Sequence, residues 1–120
     1  MAKFILFAIF LLIGSAISAS EKDGALRLIY VFSEQCVFCK AWERDVGSIY
    51  GDTEYGKKAP LFGINISLFS THFADVKPKI PGTPTFILMN GNHEVGRIVG
   101  YKNHNMFFWA LSEYIPINMN

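Results

Sequence analysis

At 120 residues, 51% of them hydrophobic, the chain is long enough for one domain with a full core and too short for two. Its formal charge of +1 comes from eleven basic and ten acidic residues, a balance that offers no field for a polyanion and excludes nucleic acid as a partner. Two cysteines, with His72, His93 and His104 scattered and lacking ligand spacing, do not supply the four ligands of a zinc site, so neither a metal nor an organic cofactor is expected.

Residues 1–19 have the layout of a secretory signal: Lys3, an uncharged run from Phe4 to Ile13, then Gly14-Ser15-Ala16-Ile17-Ser18-Ala19 as a small-residue cleavage region. Cleavage is expected after Ser18 or Ala19, leaving residues 20–120 as the working domain. The alternative is a retained membrane anchor, against which the apolar run is shorter than the ~20 residues that span a bilayer. Losing Lys3 leaves ten basic residues against ten acidic, so the mature domain is formally neutral.

Arg27 to Phe32 is too uniformly apolar to alternate and reads as a buried central strand. Ser33-Glu34-Gln35 turns into a helix expected over 36–50, with Cys39, Trp42, Val46 and Ile49 as its apolar stripe and Gly51 as a left-handed stop. A loop with room for one helical turn, 52–60, leads to a second strand over 61–66, and strand-helix-strand order implies a right-handed parallel crossover. Phe69, Phe73 and Val76 would line a short helix ended by Pro78 and Pro81. Strands at 85–89 and 94–99 flank Asn90-Gly91-Asn92, a hairpin signal. Asn103 or Asn105 caps a closing helix with Phe107, Leu111 and Tyr114 on one face, ended by Pro116; Trp42 and Trp109 read as core.

Cys36-Val37-Phe38-Cys39 carries the chemistry. Three residues apart on a helix, two cysteines lie close enough to bridge, yet a loop this short removes only ~2 kcal/mol of unfolded-state entropy. A staple so weak points to redox work, and export makes the state of the pair depend on a reductant that resets it. Cys36, at the first turn, sits where unpaired N–H groups favour a thiolate, and is the exposed nucleophile; Cys39, one turn deeper, resolves the mixed disulfide. Lys40 supports that thiolate and Glu34 opposes it. Phe38 beside the nucleophile is a candidate docking residue. Gly82-Thr83-Pro84-Thr85 places a proline just before a strand, a position that suits a cis bond. Gly100 is either a close approach beside the pair or a strand-ending turn.

Together these features resemble a thioredoxin-fold protein over about residues 26–115, which implies an α/β domain: a four-stranded mixed sheet flanked by helices. The resemblance implies a cis Pro84 facing the cysteine pair, with Thr83 as the substrate-facing residue. More narrowly, Cys36-Val37-Phe38-Cys39-Lys40-Ala41-Trp42, Thr53-Glu54-Tyr55-Gly56, Gly96-Arg97-Ile98-Val99-Gly100-Tyr101 and Phe107-Phe108-Trp109 are similar to small periplasmic thioredoxin-like proteins found with bacterial sulfur-oxidation clusters. That implies an exported Gram-negative protein, a monomer, acting on a protein disulfide or a sulfur-carrier thiol and fed by a periplasmic or membrane electron donor. The other reading is a redox-sensing regulatory module. Two departures stand out. Val37-Phe38 replaces Gly-Pro, and Tyr30 stands where the family has a buried aspartate that assists the resolving cysteine, leaving Glu34 as a candidate for proton transfer.

Overall fold

Alternate side chains of β1 (Leu26–Phe32) are buried on opposite faces of one sheet, so this strand organises two cores at once. Leu28 and Tyr30 join Trp42, Val46, Tyr50, Phe86, Leu88, Phe107, Leu111 and Ile115 on one side. Ile29 and Val31 join Ile64, Phe69, Ile87 and Met89 on the other. A strand covered on both faces cannot show alternation in its sequence, which is why its run is continuously apolar. The computed structural model describes residues 25–73 and 79–117; the expected leader, Val76 and Pro78 lie outside the described residues.

Four strands pair in the order β2 (Leu61–Asn65), β1, β3 (Thr85–Asn90), β4 (His93–Val99). β1 runs parallel to β2 and antiparallel to β3, and β3 is antiparallel to β4, so the sheet is mixed as expected. Gly91, with φ of 63°, makes the β3–β4 turn at the Asn-Gly step. Gly100, with φ of 89°, ends β4, which favours the strand-ending turn; its N–H donates to the Pro84 carbonyl at 2.8 Å.

The helix expected over 36–50 is not uniform. α1 (Val37–Trp42) passes into a π-helical stretch (Glu43–Gly47), and a 3-10 turn (Tyr50–Asp52) follows before α2 (Glu54–Lys58). A π turn uses one more residue per turn than an α turn, so the buried stripe Cys39, Trp42, Val46 continues at Tyr50, and Ile49 is left half exposed. Gly51 lies within the 3-10 turn and is not among the described glycines of positive φ. α3 (Ile66–His72) buries Phe69, with Phe73 stacked on it, and Asn65 caps it.

α4 (His104–Ser112) is capped by Asn103, whose Oδ1 accepts from the Met106 N–H at 2.9 Å. Phe107, Leu111 and Ile115 recur every fourth position and are buried. Tyr114, placed on that face by the sequence, is instead partly exposed, with its ring across Gly96. Trp109, expected in the core, is 65% exposed, because two residues from Phe107 is the opposite side of a helix.

Candidate active site

The end of β1 delivers the chain to Cys36, whose extended backbone (φ −92°, ψ 103°) makes it the N-cap of α1. Its Sγ accepts the Cys39 N–H at 3.0 Å, which places the sulfur on one of the otherwise unpaired amides of the first turn. The two sulfurs form a disulfide, S–S 2.04 Å, with Cα atoms 5.1 Å apart. Cys36 was expected to be exposed. In this oxidised form its Sγ is turned inward toward the Cys39 amide, and the residue is 8% exposed against 1% for Cys39. The order of access therefore matches the order in which the two would react. Val37 and Phe38 between them are 75% and 60% exposed, and no acidic residue occupies the first turn.

Three sequence-separated segments meet here. Ser33 Oγ and Thr83 Oγ1 lie 2.9 Å apart, tying the turn before the cysteines to the loop before β3. The Thr83–Pro84 peptide bond is cis, Pro84 is buried, and Thr85 Oγ1 donates to the Gly82 carbonyl at 2.6 Å. Arg97 secures this loop from β4: it makes a two-pronged pair with Glu94 at 2.6 and 2.8 Å and donates to the Lys79 carbonyl at 3.4 Å. Glu34 is exposed, and its carboxylate accepts a long hydrogen bond from Asn65 at 3.5 Å. Lys40 donates to the Glu34 carbonyl, also at 3.5 Å.

A cavity of about 700 Å³ opens beside Phe38, walled by Val99 and Gly100 at the end of β4 and by Met106 and Trp109 of α4. Phe38, Val99, Met106 and Trp109 are all at least half exposed, and Lys102 is the one charged residue of the lining. Phe38, expected in the sequence as a docking residue, lines this groove, and the sequence did not mark its other walls. The period of α4 could have revealed Trp109, since Phe107, Leu111 and Ile115 already define its buried face.

Where the family has its aspartate, the Tyr30 hydroxyl donates to Glu43 Oε2 at 2.6 Å, with the Cys39 carbonyl as a longer acceptor at 3.3 Å. Its ring packs on Trp42 at 4.5 Å and on Phe86 at 5.3 Å. Tyr101 donates to Asp45 Oδ2 at 2.8 Å, fixing the groove wall to the cysteine-bearing helix. Among the described residues no group of three His, Cys, Asp or Glu side chains could hold a metal, and the three histidines are exposed.

The arrangement matches a known protein-family model, the thioredoxin-like domain, over residues 13–115. The chain belongs to the thioredoxin-like family. Among solved structures it is similar to the periplasmic thioredoxin SoxS from Paracoccus pantotrophus in its reduced form, at 28% identity and a TM-score of 0.63, over 74% of this chain and 94% of that one. Thioredoxin f2 of Chlamydomonas reinhardtii (16% identity, TM-score 0.59, 82% and 86% covered) and Trxlp of Edwardsiella tarda (24%, 0.53, 76% and 82%) share the fold. No curated protein sequence matches it. In this thioredoxin-like chain the redox pair is Cys36–Cys39, and among the described residues no helix is long and apolar enough to cross a membrane.

Burial raises the pKa of three tyrosines. Tyr30 is held well above the ordinary value of 10.0 by burial and then by Glu43, and Tyr50 by burial alone. Tyr101 is pushed up to about 12 by burial, then by its bond to Asp45. An acid whose folded-state pKa exceeds its unfolded one contributes stability that is complete below the unfolded value and is lost as pH rises through the folded one. Stability should therefore decline from about pH 10 upward, with Tyr101 titrating before the other two. Urea midpoints on both sides of pH 10, read beside tyrosinate absorbance, check this. All five tyrosines of the chain titrating together near the ordinary value with no change of midpoint would contradict it.

Proposed function

We propose that this chain is an exported thiol–disulfide oxidoreductase of the periplasm that works as a dithiol reductase. The observation that carries the reading is the pair itself: Cys36 at a helix N-cap with the greater access, Cys39 sealed beneath it, and no charged residue between them. Reduced Cys36 attacks one sulfur of a partner's disulfide, the other partner sulfur leaves as thiolate, and a mixed disulfide forms. Cys39 then attacks Cys36 Sγ, the second partner sulfur leaves, and two electrons have passed to the partner while Cys36–Cys39 closes. Phe38 with its groove docks the partner, and Thr83 and Pro84 hold the partner's extended backbone. A periplasmic or membrane donor returns the electrons.

Similarity to a periplasmic thioredoxin and the leader-like residues 1–19 support export, and the motif resemblance to thioredoxin-like proteins of sulfur-oxidation clusters favours a partner from sulfur oxidation, a sulfur-carrier thiol among them. An oxidant needs a strongly stabilised reduced form, usually from an added basic residue near the nucleophile, and Val37-Phe38 supplies none. A second reading, a redox-sensing module, is favoured by the four exposed apolar side chains around the groove, which suit one dedicated partner. Equilibration of Cys36–Cys39 against glutathione, paired with dithiothreitol-driven reduction of insulin, separates these. A reducing potential with multiple turnovers is expected. A potential as high as that of disulfide-forming catalysts would overturn the direction, and absence of turnover would favour the sensor.

A further inference from the structure

Resolution leaves a proton to be placed. Cys39 must shed its thiol proton to attack Cys36 Sγ, yet it is 1% exposed, and the strand beside it offers a tyrosine rather than a carboxylate. Glu43 follows Cys39 by four residues and so shares its helix face. Side chains on a helix lean toward its N-terminus, a tendency that directs Glu43 toward the turn bearing Cys39. The 2.6 Å bond from Tyr30 holds the carboxylate on a hydroxyl that also lies 3.3 Å from the Cys39 carbonyl oxygen. Burial and the Glu43 charge keep Tyr30 protonated, so it is a permanent donor and the carboxylate is the acceptor of the pair. Glu43 is also open to solvent, so a proton collected inside has a way out.

The other charged groups near this pair are already engaged. On the helix, Lys40 turns to the Glu34 carbonyl and Arg44 pairs with Asp45. On the sheet side, Tyr30 meets the rings of Phe32 and Phe86 and, across β2, Gly63. We propose that Glu43, oriented by Tyr30, takes the Cys39 proton during resolution, a role that rests on the oxidoreductase reading above and that Glu34 does not share. The Cys39 S–H bond breaks, the Cys36–Cys39 bond forms, and the bond from Cys36 to the partner sulfur breaks. The partner thiolate is protonated from water, to which Glu43 returns its proton.

Glu43→Gln tests this, because glutamine keeps an acceptor for the Tyr30 hydroxyl but cannot take a proton. Mixing reduced protein with excess of an aromatic disulfide that releases a coloured thiolate gives a concentration-dependent phase, attack by Cys36, and a concentration-independent phase, closure by Cys39. Glu43→Gln should slow the second phase about tenfold or more at neutral pH, below the usual range for loss of general-base assistance because water can substitute. Speed should return as pH approaches the ordinary thiol pKa of about 8.5. The first phase should be unchanged. Tyr30→Phe should slow the second phase less, and Glu34→Gln should slow neither. A Glu43→Gln closure rate equal to wild type at every pH, or equal slowing of both phases, would overturn the proposal, as would slowing by Glu34→Gln alone. A wild-type protein without a second phase would instead remove the oxidoreductase reading on which it rests.

Discussion

Cys36→Ser is expected to reduce disulfide exchange to the uncatalysed background, and Cys39→Ser to halt it half-way as a persistent mixed disulfide. The asymmetry follows from burial and capping. Cys36 retains access and its sulfur lies on the Cys39 amide at the helix start, an arrangement that favours thiolate over thiol. Cys39 is enclosed by the core and is bonded to Cys36. Reduced Cys36→Ser should therefore fail to form an adduct with a coloured aromatic disulfide. Cys39→Ser should release one thiolate equivalent, stop, and show the adduct mass in intact-protein spectrometry. Release of the second equivalent from Cys39→Ser at the wild-type rate would mean that solvent thiol, not Cys39, completes the cycle.

Why this pair could be found without coordinates, while its surroundings could not, comes down to the range of the interactions. Cys36-Val37-Phe38-Cys39 and the Asn90-Gly91 turn are local signals whose meaning is fixed by neighbours in sequence, whereas the role of Pro84 came from the family resemblance. The strands were equally legible: β1, β2, β3 and β4 each begin and end within two residues of the expected bounds. Phase was the first thing lost. A continuous α-helix predicts Ile49 inside, and the π stretch at Glu43–Gly47 moves that place to Tyr50.

Long-range polar contacts were the second loss. Nothing in the separation of Tyr30 from Glu43, or of Tyr101 from Asp45, marks them as pairs, since each bond joins a strand or the loop after it to a helix. Trp109 was misplaced for a third reason, that hydrophobicity ranks residues for burial without saying which are held back for a groove. The two sulfurs were thus legible in sequence together with Phe38, Thr83 and Pro84, while the Tyr30–Glu43 bond and the α4 side of the groove were not.

The wall behind the pair gives the second large effect, Gly56→Ala, where propensity and packing predict opposite signs. Gly56 lies inside α2, and in an exposed helix interior alanine is the more favourable residue by about 1 kcal/mol. Here a Cβ would overlap the Tyr50 carbonyl oxygen, 2.7 Å from its carbon and 2.9 Å from Gly51 Cα, all backbone atoms that cannot rotate away. That carbonyl is also committed, accepting from the Thr53 N–H at 3.0 Å and from Thr53 Oγ1 at 2.7 Å. Moving it would drag Tyr50, which is 1% exposed, donates to the Ala59 carbonyl at 2.8 Å and packs 6.5 Å from Trp42. Overpacking of this kind costs about 3 kcal/mol or more when backbone must yield. For a domain of this size that is a fall in Tm of about 10 °C or more. Gly51→Ala, with nothing within 4 Å of the added carbon, is the matched control and should shift Tm little. Calorimetry on the two variants decides it: Gly56→Ala at or above the wild-type Tm would show that α2 can slide away from Tyr50, and that the support of Trp42 behind Cys39 does not depend on that contact.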